Sequence, residues 1–358
     1  NAPTDRFIKA ALRQCTHALQ QWWFKSLREG QLAIDDIGHL AFLLDQTSGQ
    51  DAAGVARKIL QDSTLKPTSA ALPVLAMILA TQGSVEDLDW MIAKAHSDLR
   101  NSTPLLSAMQ ESASIRELKP RNPTLNSLLA SAVTIGTAKQ KIHALQLIGY
   151  WQLLDLRELV INTTFNPQVA PEIRIAALRS TSHFPEIAEH RLDDLAALSA
   201  APGDEGIRHA ALDTLTAMNP GRAAQIAAKA LIAAGPDEPL EPYLIPFLTR
   251  ADGALALASS LQKSELSLRL RDRIRGALGA AGLHSTHLEK ALNPPYVESP
   301  SAVGLPVYSQ QWIDSLAAEV RKDGDSSRGS KVYHRDSLAC TKCHVISGEG
   351  MEFGPELT

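Results

Sequence analysis

Over the first 290 residues apolar side chains recur at steps of three and four, the spacing of one covered face of an α-helix. Residues 5–28 read as one long amphipathic helix. Phe7, Ile8, Ala11, Leu12, Cys15, Leu19, Trp22, Trp23 and Leu27 lie on its apolar side and Gly30 is its stop. This places the lone Cys15 as a buried thiol, and packs one of Trp22 and Trp23 in the core with the other half-exposed. Ile37–Leu44, Ala53–Gln61, Ala70–Ala80, Leu105–Ser112 and Leu125–Ile135 carry apolar stripes of their own. Ser84, with Asp87 three residues on, is a capping-box start. Pro, Gly, Ser and Asn separate these segments, and no run alternates with the period of a strand up to about residue 290. The predicted class is all-α.

The middle of the chain repeats. Arg174-Ile175-Ala176-Ala177-Leu178 returns as Arg208-His209-Ala210-Ala211-Leu212 at an offset of 34, with Ile173 and Ile207 in the same register. Lys141-Ile142-His143-Ala144-Leu145 is the same pattern 33 residues earlier. Gly276-Ala277-Leu278 falls two periods after Leu212, with Ile245 at the halfway point. A small pair followed by Leu lets one helix approach the next closely, so each helix pair buries its face by stacking on its neighbour. The signatures of tetratricopeptide and ankyrin repeats are missing. The Arg-x-Ala-Ala-Leu helices resemble the second half of HEAT-like repeats, which implies an α/α superhelix over residues 3–292.

Residues 293–308 break the pattern. Asn293-Pro294-Pro295, Ser299-Pro300, Gly304 and Leu305-Pro306 cannot continue a helix and read as a linker. A helix resumes at Gln310, with Trp312, Ile313, Leu316, Ala317 and Val320 on one face, and ends at Gly324. Residues 309–358 form the second predicted domain.

Charge and composition narrow the possible functions. The net charge is −4, so no basic excess points to nucleic acid, and no apolar stretch reaches the 18 residues of a membrane span. Ala and Leu are abundant and aromatics are 5%, which favours helix. The histidines His143, His183, His190 and His209 read as surface or core-edge residues. Glu86, Asp87 and Asp89 suit a helix N-terminus, and Asp204-Glu205 opens another. Arg269, Arg271, Arg273 and Arg275 form an alternating basic run, read as a solvated face. No nucleophile triad, phosphate loop or dinucleotide fingerprint stands out.

The specific chemistry is Cys340-Thr341-Lys342-Cys343-His344. Two thiols three residues apart can reach the two vinyl groups of a haem, and the histidine that follows offers an imidazole to the iron. A structural zinc site, with His344 and His334 as further ligands, and a redox dithiol are the alternatives. The first lacks a second close ligand pair, and the second lacks a flanking βαβ pattern.

Gly324-Asp325-x-x-Arg328-Gly329-x-x-Val332-Tyr333 before the motif and Gly348-x-Gly350-x-x-Phe353-Gly354-Pro355-x-Leu357 after it resemble the start of a class I cytochrome c domain. That resemblance implies, for the intact protein, covalent haem c on Cys340 and Cys343 with His344 as proximal iron ligand. It implies that Gly329 and Tyr333 face a later helix, and that Pro355 offers its carbonyl to the proximal imidazole. Met351 is read as a loop or packing residue on the proximal side. The chain, repeats first and cytochrome last, is similar to a planctomycete and verrucomicrobial family of multidomain haem-binding, dehydrogenase-like proteins. Starting at Asn1 and ending 14 residues past His344, it is expected to be a piece of such a protein, without the distal ligand. The resemblance implies an extracytoplasmic location, periplasmic in the bacterium. It also implies an upstream sugar or alcohol dehydrogenase domain or a redox partner protein as electron donor, and no catalysis by this piece alone. The alternative function is a HEAT-like scaffold that binds protein or polysaccharide, with the haem auxiliary.

Overall fold

The computed structural model describes residues 6–29, 31–32, 34, 36–47, 50–62, 68, 70–184, 187, 189–201, 203–250, 252–292, 309–335, 340–346, 348–350 and 357. Helix makes up 76% of the structure, and among the described residues strand is confined to one pair of two-residue segments, so the all-α class is as the periodicity predicts. The chain divides into two units, Asn1–Asn293 and Pro294–Thr358. The predicted linker at 293–308 lies outside the described residues.

In the first unit the helices run α1 Arg6–Ala18, α2 Gln20–Arg28, α3 Ile37–Asp45, α4 Gln50–Gln61, α5 Ala71–Gln82, α6 Val85–Ser97, α7 Thr103–Ile115, α8 Leu125–Ile135 and α9 Ala138–Tyr150. They continue as α10 Arg157–Phe165, α11 Pro171–Thr181, α12 Glu189–Ala200, α13 Glu205–Met218, α14 Pro220–Ala233, α15 Glu241–Leu248, α16 Gly253–Gln262, α17 Leu268–Ala280 and α18 Thr286–Leu292. Local chemistry sets many of the starts. Ser84 and Asp87 form a complete capping box on α6, and Thr137 with Gln140 forms another on α9. Asp36, Asp204 and Ser267 each accept a backbone N–H from the first turn of α3, α13 and α17. Prolines sit at the first turns of α7, α11, α14 and α15, where their missing N–H costs no helix bond.

The odd-numbered helices pack in a row, each against the next but one, from α3 through α5, α7, α9, α11, α13 and α15 to α17. Even-numbered helices cover this row: α4 on α5, α8 on α9, α10 on α11 and α12 on α13, with α14, α16 and α18 packed in succession. Three apolar cores follow along the row, centred on Leu44 and Leu75, on Met91 and Leu129, and on Leu215 and Phe247. Helix α11 belongs to two of them, with Ala177 in the second and Leu178 in the third. Hydroxyls tie neighbouring helices across 32, 35 and 36 positions, close to the repeat spacing. Ser112 donates to the Ala80 carbonyl at 2.6 Å, Ser180 to Leu145 at 2.6 Å, and Thr214 to Leu178 at 2.9 Å.

Three expectations need correction. The helix predicted over 5–28 breaks at Leu19, whose φ of −94° and ψ of 4° end α1 before α2 starts. The break turns Phe24 into the first core, with Trp23 and Leu27 packed on it, while Trp22 stays 68% exposed. Cys15 is exposed, because α1 lies outside that core and its apolar stripe, Phe7 and Leu12 included, faces outward. Ile245 is 41% exposed, because α15 turns Tyr243, Leu244 and Phe247 inward instead.

Candidate functional site

The second unit opens with α19, Gln310–Asp323, and α20, Ser326–Tyr333. Ser309 caps α19 through the Trp312 N–H, and Asp325 caps α20 through the Arg328 N–H. Gly324 ends α19 where a Cβ would meet the Val320 carbonyl, so the predicted stop has a steric cause. The predicted apolar face of α19 is present, yet none of its residues is buried, and Leu316 and Val320 are exposed.

Cys340–Lys342 is a single tight helical turn. The Cys340 carbonyl accepts from both the Cys343 N–H at 3.2 Å and the His344 N–H at 3.0 Å. One turn therefore carries both sulfurs and the imidazole. Cys343 is exposed, and Cys340 and His344 are half-buried. The chain then forms a short antiparallel hairpin of β1, Val345–Ile346, and β2, Glu349–Gly350, with Ile346 opposite Glu349. Gly348 takes a φ of 81°, the left-handed conformation the tight turn needs. The Leu357 N–H donates to the Val345 carbonyl at 2.9 Å.

Helix α20 meets this segment with its last turn. Tyr333 is buried and donates its hydroxyl to the His344 carbonyl at 2.5 Å. Burial, and then the charge of Cys340, push the Tyr333 hydroxyl above its ordinary range. His334 lies 2.8 Å from the Ser330 carbonyl through Nδ1 and 2.8 Å from the Glu349 carboxylate through Nε2. The Ser330 carbonyl first, and Glu349 second, raise its pKa.

No protein-family model, curated protein or solved structure matches the chain. The site is thus read from its own residues. Two thiols and an imidazole on one turn, reachable from solvent, are the donor set that covalent haem attachment requires. The zinc alternative would need more ligands. Both nitrogens of His334 are engaged elsewhere, and among the described residues no group of three or more His, Cys, Asp or Glu could hold a metal ion. Pro355, Gly354, Phe353 and Met351 lie outside the described residues. A Cβ on Gly329 would meet nothing within 4 Å among the described residues, and Tyr333 turns to the motif itself. Sequence reading singled out Tyr333 for a different contact and missed Glu349. Neither pairing has a local signal, since each joins residues more than ten positions apart.

The other candidates have structural roles. Arg271 and Arg275 donate to the Leu292 carbonyl, and Arg273 donates to the Glu238 carbonyl, so much of the basic run ties helix ends and loops instead of facing solvent. Asp87 pairs with Arg57 at 2.8 Å, and Asp89 accepts from the backbone N–H groups of Arg121 and Asn122. His143 and His209 are half-buried, and His183 and His190 are exposed. No helix among the described residues is long and apolar enough to cross a membrane.

Proposed function

We propose that this chain is the scaffold and electron-transfer part of a larger c-type haem protein, which accepts electrons from a dehydrogenase domain or a redox partner. The reading is supported above all by Cys340, Cys343 and His344 sharing one turn, with the His344 N–H on the Cys340 carbonyl. Cys340 and Cys343 would hold a haem by adding their S–H groups across its two vinyl double bonds, sulfur to one carbon and hydrogen to the other, with no leaving group and no net redox change. His344 would offer its imidazole to the iron, and the Pro355 carbonyl would accept from the other ring N–H. A haem bound there supplies a one-electron iron couple. The apolar face of α19, none of it fully buried, also supports the reading, since a haem module must bury such a surface. The row of stacked helices fits a HEAT-like scaffold that holds the redox unit near its donor. The location that follows is extracytoplasmic.

The test is expression of the chain in a periplasm equipped for c-type maturation, followed by mass spectrometry under denaturing conditions and a pyridine haemochrome spectrum. A haem that survives denaturation is expected. It should be lost entirely in the Cys340→Ser/Cys343→Ser double variant. Protein recovered from its native host with both thiols unmodified, or with zinc at the pair, would sink the assignment.

A further inference from the structure

The last turn of α20 grips the attachment segment at two adjacent residues. Tyr333 holds the carbonyl of His344 itself, at 2.5 Å. His334, whose ring is edge-on to that of Tyr333 at 5.1 Å, holds Glu349. Glu349 sits opposite Ile346 in the hairpin, two residues past His344, so a hold on Glu349 is also a hold on the strand that leaves the ligand.

The His334 contacts dictate a protonation state. Nδ1 faces the Ser330 carbonyl and Nε2 faces a carboxylate, both at 2.8 Å, and neither oxygen has a hydrogen to give. Both bonds form together only when both ring nitrogens carry hydrogen, as in the imidazolium. The Ser330 hydroxyl is a longer contact at 3.4 Å. Among the described residues, the groups facing the ring are thus Glu349 from β2, and Ser330 and the Tyr333 ring from α20.

We propose that Tyr333 and His334 are positioning residues for His344, forming a two-point clamp that seats the ligand-bearing segment on α20 and that is closed only while His334 is charged. The redox consequence rests on the haem reading, whereas the clamp concerns this chain alone. Because both partners of His334 favour its charged form, the clamp stays closed somewhat above the ordinary histidine value of 6.5 and opens as pH rises further. The pair is 40% and 73% exposed, so its share of folding stability is small and salt-screened. The useful readouts are therefore a titration and a potential.

Two measurements on the full chain decide it. The first needs no haem: imidazole NMR of His334 across pH, in the parent chain and in Glu349→Gln. The expected result is a His334 midpoint above 6.5 that moves down in the variant. A midpoint that does not move overturns the Glu349 half of the clamp. The second is a redox titration of the matured haem protein across the same pH range. The potential is expected to fall as His334 loses its proton, because a nearby positive charge favours the reduced iron. His334→Gln should flatten that slope, and Tyr333→Phe should shift the potential at every pH while leaving the slope. An unchanged slope in His334→Gln, together with an unchanged potential in Tyr333→Phe, overturns the positioning role. If no haem attaches, the haem reading fails separately and the NMR measurement still decides the clamp.

Discussion

At the residue scale, contacts between neighbouring helices leave little room. A Cβ on Gly149 would come within 2.6 Å of the Ser180 hydroxyl and 2.9 Å of the Ser180 Cα, so α9 and α11 touch there almost backbone to backbone. Gly149→Ala is expected to destabilise the fold by about 2 kcal/mol, read from urea unfolding, because overpacking a tight contact forces a backbone shift. A loss near zero would mean that the two helices can part without cost. Burial also depresses the pKa of His143, His183 and His209 below the ordinary 6.5. His143 Nδ1 and His209 Nε2 are buried without a hydrogen-bond partner among the described residues. The unfolded chain takes up protons at these sites before the folded one does. Stability is then full above about pH 6.5 and declines as pH falls below it. Chemical denaturation at a series of pH values checks this, and the His143→Gln/His183→Gln/His209→Gln triple variant should lose most of the slope. These sites read as surface or core-edge histidines in the sequence, but the direction of the shift depends on burial by other helices.

At the element scale, helix starts were legible because caps are local. Ser84 accepts from the Asp87 N–H, and Asp87 accepts from the Ser84 N–H at 2.8 Å, a pattern visible as two residues three apart. Ser84→Ala should cost about 1 kcal/mol, the usual value of an N-cap, and should speed amide exchange in the first turn of α6. Equal exchange in the two proteins would show that the Asp87–Arg57 pair alone holds that turn. Helix partners were not legible. Arg57 reaches Asp87 across 30 positions, and Arg271 reaches the Leu292 carbonyl across 21. Nothing in the alternating arginines of α17 announces that they end on carbonyls instead of in water. The break at Leu19 was equally hidden, since the apolar stripe runs on through it unchanged in period.

At the scale of the whole molecule, the three cores lie entirely within the first unit. Their residues run from Phe24 to Leu292, and none of the described residues of Pro294–Thr358 belongs to them. A chain ending at Asn293 should therefore melt at the same temperature as the first unit does in the full protein, by calorimetry with circular dichroism in parallel. A clearly lower melting point would mean that the second unit supports the cores. Neighbour-on-neighbour packing also predicts that damage stays near its origin, apart from α4, α5 and α11, which each feed two cores through adjacent residues.

The sequence by itself determined what depends on a few neighbouring positions: the helical class, the caps, the small-small-Leu contacts and the Cys340-to-His344 spacing. Each is set by geometry that repeats within one or two turns. The tertiary structure decided which apolar stripes are covered and which are left bare. The stripes of α1 and α19 have the same period as those of the buried helices, yet α1 turns Phe7, Ile8 and Leu12 outward and no residue of α19 is fully buried. It also decided where Tyr333 and His334 reach, and which arginines close helix ends. These outcomes depend on which helices stack, a choice made between residues tens of positions apart that no local spacing encodes.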